Sequence, residues 1–264
     1  MPSRRLYVTN QSTLVTTSEV KKMVAACNKQ VRDHVAPAWN GERVVVEFAG
    51  YDLPTIQRKA PKGSWVIAIL DNPDDPGALG WHSEDDQDHV YGEIFAKPCL
   101  EDGKSTALTG TYAVSSVLSH EVIETYGDQF CNQWTDTGRG FLVATELCDP
   151  VEADGYEIDG VQVSNFVLPE WFDAVTSPGE KFDYLGKCKA PFSMTPGGYW
   201  VQASTGSEQQ KFGEVTKWLQ DTGFDVRGHK GLELVFSPEM PKWRRDYKQQ
   251  RGRNAIKRSL TRKG

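Results

Sequence analysis

The sequence predicts an α+β protein whose strands and helices fill the first half of the chain and whose C-terminal part is irregular. Short apolar runs, rich in β-branched and aromatic residues and bounded by Gly or Pro, are typical of buried strands. Two longer segments repeat apolar residues at helical spacing. Beyond residue 127 these patterns become shorter and less regular, so we expect few long elements there.

The chain opens with a strand and a helix. Residues 6–9 predict the strand. Thr16, followed three positions later by Glu19, forms a capping-box sequence, and the helical apolar pattern that begins there ends at Pro37. Apolar residues on one side of this helix predict that it packs on a sheet.

Three more strands and a second helix complete the first half. The strands are expected at residues 43–48, 64–70 and 89–96. We expect the last of them at a sheet edge. Residues 112–126 then predict a helix, with Gly127 as its C-terminal stop.

The second half carries weaker signals. Asp159-Gly160 predicts the turn of a hairpin. Residues 212–219 predict one more helix and residues 224–236 contain strand-like runs. We therefore divide the chain into a main domain at 1–200, a small helix-strand extension at 201–240 and a basic tail at 241–264.

Composition limits the class of protein. A chain of 264 residues with 38% hydrophobic residues can bury one sizeable core. No stretch approaches the roughly 18 to 20 apolar residues that cross a bilayer, and the N terminus lacks the apolar region of a secretion signal, so we expect no membrane contact and a cytoplasmic location. The five cysteines include no CxxC pair and are expected to be reduced core thiols.

The tail differs in charge from the rest of the chain. Residues 241–264 hold ten Lys or Arg and one Asp, whereas the whole chain carries a formal charge of −6. Such a tail is suited to an acidic partner or to nucleic acid, although a solvated or partly helical extension is the simpler explanation.

The chemistry-bearing motif lies on the second helix. His120 and Glu124 are four residues apart, so both side chains can reach one ion on the same helix face. Imidazole and carboxylate are good zinc ligands, and the adjacent Glu121 could accept the proton of an activated water. A helix with an ordinary partly buried histidine and solvated glutamates is the simpler alternative.

This motif resembles that of the zincin metallopeptidases. The segment Ser119-His120-Glu121-x-x-Glu124, together with the later Glu146-Leu147-Cys148-Asp149-Pro150 and Ser164-Asn165-Phe166, is similar to zincin-like proteins encoded by bacteria and phages. The resemblance covers about residues 1–200 and implies a mixed sheet with an edge strand beside an active-site helix. Glu124 stands where the commoner motif has a second His, so manganese or iron remain candidates besides zinc.

The resemblance also implies further site residues. Glu146 is our first choice for the third metal ligand. Asp149 would then orient His120 by hydrogen bonding to it without binding the metal, and the two roles could be exchanged. Cys148 lies between these two acids. Candidates for stabilising an oxyanion are His82, His89, Tyr156 and Tyr199.

Two functions follow as expectations. The first is metal-dependent hydrolysis of a peptide or protein substrate, with the peptide lying antiparallel along the edge strand expected at residues 89–96. The second is a catalytically silent zincin-fold structural or interaction protein, such as a phage virion or assembly component.

Overall fold

The computed structural model describes residues 4–50, 52–61, 63–73, 78–84, 89–101, 104–129, 133–204 and 232–236. The helix predicted at residues 212–219 and the basic tail at 241–264 lie outside these ranges. The division of the chain into three parts therefore stays a prediction.

Eleven strands and five α-helices are found in the described residues. The strands are β1 Arg4–Asn10, β2 Val44–Ala49, β3 Trp65–Leu70, β4 Gly80–Glu84, β5 Val90–Phe95, β6 Trp134–Asp136, β7 Phe141–Ala144, β8 Gly155–Ile158, β9 Val161–Ser164, β10 Tyr199–Ser204 and β11 Leu232–Phe236. The helices are α1 Thr17–Gln30, α2 Ala36–Ala38, α3 Leu53–Lys59, α4 Ala96–Leu100 and α5 Val114–Gly127.

The main sheet is mixed and has the order β2-β1-β3-β5-β4. Strands β2, β1, β3 and β5 run parallel to one another, and β4 pairs antiparallel with β5. The expectation of an edge strand at residues 89–96 was wrong in its position. That run forms β5, which is interior, because the short segment Gly80–Glu84 pairs along its outer side and takes the edge.

The first helix begins as its sequence predicts. The Thr16 hydroxyl accepts a hydrogen bond from the Glu19 backbone N–H, and the Glu19 carboxylate accepts one from the Thr16 N–H at 2.8 Å. A π-helical turn at Val31–Val35 extends α1 into α2, which brings the helical path to Ala38. The capping-box prediction is thus confirmed.

Helix α5 is buried on all sides. Every residue from Val114 to Thr125 is buried, including the polar residues of the motif. One side packs on β4 and β5, and the opposite side meets β9. A helix enclosed in this way can place charged side chains in the interior only if they find partners there.

Two hydrophobic cores flank α5. The first lies between the sheet, α1 and α5 and includes Leu6, Ile67 and Leu118. The second includes Ile123 and the fully buried Trp171, and it belongs to the C-terminal half. Helix α5 therefore joins the two halves of the molecule.

The C-terminal half contains more regular structure than its sequence predicts. Strands β11, β10, β7 and β6 form an antiparallel four-stranded sheet in that order. The predicted hairpin is confirmed as β8–β9, and its turn residues Asp159 and Gly160 have φ angles of 52° and 76°. The connections around these strands are irregular.

The fold is a mixed α/β arrangement. No helix within the described ranges is both long and apolar enough to cross a bilayer. Four of the five cysteines are described, and all four are buried free thiols: Cys27, Cys99, Cys148 and Cys188.

Candidate metal centre

Helix α5 supplies the centre of the candidate site. Its four-residue spacing places His120 Nε2 only 2.9 Å from Glu124 Oε1. His120 is 8% exposed, Glu121 5% and Glu124 4%, so all three are buried. The alternative of solvated glutamates on an ordinary helix is therefore wrong for this motif.

A loop after β7 adds acidic groups to the same place. Asp149 begins a short 3-10 turn, and its Oδ1 lies 3.4 Å from His120 Nε2. Leu147 packs against the end of α5 so closely that a Cβ on Gly127 would lie 2.6 Å from its Cδ1. This contact fixes Glu146 and Asp149 near the motif.

Strand β4 contributes a second histidine. His82 Nδ1 lies 3.2 Å from Glu121 Oε2 and 3.7 Å from Glu124 Oε2, and its Nε2 lies 3.8 Å from Glu146 Oε2. We expected His82 only as a candidate for stabilising an oxyanion. The structure instead puts it in an edge strand and in contact with three of the four acids.

Gly80 allows β4 to approach α5 closely. A Cβ at this position would lie 2.8 Å from Val117 Cγ1 and 3.1 Å from Glu121 Oε1. Because strand side chains alternate, Gly80 and His82 lie on the same face of β4. The absence of a side chain at residue 80 thus lets residue 82 reach the acids of the helix.

The other oxyanion candidates lie in different places. Tyr199 on β10 is buried and hydrogen-bonds with Asp149. Tyr156 instead lies 2.8 Å from His34 Nδ1 and accepts a hydrogen bond from the Gln30 amide. His89 immediately precedes β5 and belongs to neither metal-ligand group among the described residues.

The electrostatics of the site reflect an excess of buried negative charge. Burial, and after it the charge of Asp149, raises the pKa of Glu124 to about 7. Burial and the nearby Glu124 raise the pKa of Glu146 well above its usual value. Burial disfavours charged His120, but Glu124, Asp149 and Glu121 outweigh it and raise the pKa of this imidazole well above its usual value.

The buried oxygen atoms that have no hydrogen-bond partner among the described residues include two from carboxylates of this site. They are Glu124 Oε1, in spite of its short distance to His120, and Glu146 Oε2. A buried acceptor without a donor is costly in a folded protein. A bound cation would satisfy both oxygens, so the donor set fits a metal ion.

The potential ligand atoms form two groups of three. One group is His120, Glu124 and Cys148, and the other is His82, Glu124 and Glu146. Within each group the ligand atoms lie within 4.8 Å of one another. Nitrogen, oxygen and thiolate sulfur are all ligands of zinc, and the carboxylate-rich group also suits manganese or iron. Cys148 was noted in the sequence only for its position between two acids.

Fold and site together define a mixed α/β protein that buries a cluster of histidines and carboxylates. No family model, no curated protein and no solved structure matches the chain. What the protein does must therefore be inferred from the chemistry of this cluster.

Proposed function

We propose that the protein is a metal-dependent hydrolase that cleaves peptide bonds. One observation carries the proposal: His82, His120 and four carboxylates converge in the interior, and Glu124 offers an oxygen there that lacks a hydrogen-bond donor. Buried carboxylates at such density are characteristic of cation sites. Zinc is the first candidate ion, with manganese and iron as alternatives.

The residues of the motif take distinct roles in this proposal. His120 and Glu124 would hold the ion, whereas Glu146, the third ligand expected from the sequence, groups with Glu124 and His82 among the described residues. Asp149 Oδ1 lies 3.4 Å from the same His120 nitrogen that faces Glu124, so in this proposal Asp149 is a ligand of the same ion and does not orient the imidazole through its other nitrogen. When bound, the ion supplies Lewis acidity that polarises a carbonyl group and makes water more acidic.

Glu121 is the proposed general base. It is adjacent to His120 in sequence, and its carboxylate is held 3.2 Å from His82 Nδ1. A carboxylate in this position can accept a proton from the attacking water and transfer it to the leaving amine. Tyr199, which reaches the site through Asp149, and His82 are the two oxyanion candidates that lie at the cluster.

The edge strand next to the cluster suggests how a peptide would bind. Among the described residues β4 is the last strand of the main sheet, and such an edge is where an extended peptide can add a strand. A substrate in extended conformation would pair with β4 through main-chain hydrogen bonds, beside His82. This places the proposed substrate on residues 80–84 instead of residues 89–96.

A second candidate function is a catalytically silent protein of the same fold, such as a phage virion or assembly component. The observation that favours it is the depth of the site, because Glu121 is only 5% exposed and substrate access is restricted. Under this proposal the ion stabilises the fold and takes no part in a reaction.

Glu121→Gln distinguishes the two functions. The matched control is Glu157→Gln, the same change at an exposed position on β8. Zinc- or manganese-loaded proteins would be incubated with a mixed peptide library, and cleavage followed by mass spectrometry. We expect wild type and control to cleave and Glu121→Gln to lose about 10²- to 10⁴-fold in rate while keeping its metal. Cleavage unaffected by Glu121→Gln would exclude Glu121 as the base, and no cleavage by metal-loaded wild type would favour the silent protein.

A further inference from the structure

The two oxygens of Glu124 face different histidines. Oε1 lies 2.9 Å from His120 Nε2, whereas Oε2 lies 3.7 Å from His82 Nδ1. The two histidines come from distant segments, β4 and α5, and meet on opposite sides of one carboxylate. A carboxylate with one nitrogen ligand at each oxygen has the arrangement of a bridge between two cations.

Each histidine also has its own additional donors. Near His120 lie the thiol of Cys148 and the carboxylate of Asp149. Near His82 lies Glu146, whose Oε2 lacks a hydrogen-bond donor among the described residues. The two three-ligand groups share Glu124 and no other residue. Each group offers three potential ligands.

The separations on the His120 side fit pairs of ligands on a common ion. Two ligand atoms about 2.1 Å from a tetrahedral metal are separated by about 3.4 Å. On the His120 side the distances to Glu124 and Asp149 are 2.9 and 3.4 Å. On the His82 side only one ring nitrogen can bind a given ion, and the ligand atoms of His82, Glu124 and Glu146 lie within 4.8 Å of one another, so these ligands must move closer together to share an ion.

Formal charge favours two ions over one. The carboxylates of Glu121, Glu124, Glu146 and Asp149 would carry four negative charges, and histidine ligands are neutral. One divalent cation leaves two of these charges uncompensated in a buried site, which is costly, whereas two divalent cations balance all four and also leave less excess charge if Cys148 binds as a thiolate. Asp128 is another buried acid nearby. It is left out of this count because it already accepts a hydrogen bond from the Gln133 backbone N–H.

We propose that the cluster holds two divalent cations bridged by the carboxylate of Glu124. One is bound on the His120 side and the other on the His82 side, with Glu146 as a ligand of the second. This inference rests on the proposed metal-dependent function and extends it to a two-metal site. Ions bridged in this way are about 3.5 to 4 Å apart in known two-metal enzymes.

Metal stoichiometry tests the proposal without an activity assay. Metal-free protein would be titrated with Zn²⁺ by calorimetry, and the bound metal counted by elemental analysis after dialysis. We expect two equivalents in the wild type and in the control His89→Ala, and one in His82→Ala. His82→Gln, a change that keeps more of the buried volume, is a second variant in case His82→Ala fails to fold, and it should also bind one.

Electron paramagnetic resonance of the Mn²⁺-loaded protein gives an independent result. Two ions at bridging distance couple magnetically, so we expect a spin-coupled spectrum for the wild type and the six-line spectrum of an isolated ion for His82→Ala.

In the zinc titration, one equivalent of metal in both wild type and His82→Ala would overturn the two-metal inference and leave the proposed function intact. Two equivalents in both would overturn the role of His82, and no metal in the wild type would overturn inference and function together.

Discussion

Glu124 interacts with more charged groups of the site than its position on the helix alone would suggest, because it lies between two histidines and close to Asp149. It contacts both histidines, and its pKa is raised to about 7 by burial and by Asp149. A carboxyl group with a raised pKa in the folded state binds protons that the unfolded chain releases. The destabilising effect of a charged Glu124 on the metal-free protein should therefore be smallest at acidic pH, where this group is neutral.

The pH dependence of stability provides a prediction. Between the ordinary pKa of 4.5 and the raised value of about 7, the folded protein holds the Glu124 proton more tightly than the unfolded chain does. The free energy of unfolding of the metal-free protein should thus fall as pH rises across this window. Urea denaturation in the presence of a chelator, at pH values from 4.5 to 7, measures this fall.

Glu124→Gln is the control for that measurement. Glutamine has a similar shape and does not titrate, so the variant should show a weaker loss of stability over the same window. Metal-loaded wild type should show the opposite trend, since deprotonated ligands bind metal more tightly. Equal pH dependence in metal-free wild type and Glu124→Gln would contradict the raised pKa of Glu124.

At the scale of elements, the site depends on the close approach of β4 to α5. Gly80 permits it, because an added Cβ would lie 2.8 Å from Val117 Cγ1, 3.0 Å from Ile94 Cδ1 and 3.1 Å from Glu121 Oε1. Two of these neighbours belong to the helix and one to the adjacent strand. They are packed too tightly to move apart without strain.

Gly80→Ala should therefore destabilise the protein and disturb the site. We expect a loss of about 1 to 3 kcal/mol in the free energy of unfolding, as is usual for overpacking, together with weaker metal binding. Gly50→Ala is the matched control, because a Cβ there would meet nothing within 4 Å. Urea denaturation and zinc titration of both variants measure these effects. If the two variants behave alike, the close approach has no importance for the site.

Elements were predictable where the signal is local. The capping box of α1, the span of α5 and the β8–β9 turn each depend on residues close in sequence, and all three are found. Strand β4 escaped prediction because it is five residues long and has no apolar run. The order of strands in a sheet depends on contacts between distant segments, so β5 was wrongly expected at the edge.

At the scale of the whole molecule, the site is assembled from three separate segments. His120, Glu121 and Glu124 share a helix, and their spacing alone predicted a metal site. His82 lies 39 residues before Glu121, and only the fold brings the two together. Its pairing with the acids could have been suspected only from the Gly80-x-His82 alternation, which is a weak signal.

The excess of buried carboxylates favours the binding of cations in the interior. The chain as a whole has a formal charge of −6, and four of its acidic groups converge on one interior site. The basic tail at 241–264 lies outside the described residues, so an acidic partner or nucleic acid for it stays a prediction.

Metal content of the purified protein tests the central claim most directly. Wild type, His120→Ala and the control His89→Ala would be reconstituted with zinc, dialysed identically and measured by elemental analysis. At least one tightly bound ion per chain should be present in wild type and in His89→Ala, and His120→Ala should bind one ion fewer than wild type. Wild type without metal after reconstitution, or His120→Ala with an undiminished amount, would contradict a metal centre on helix α5.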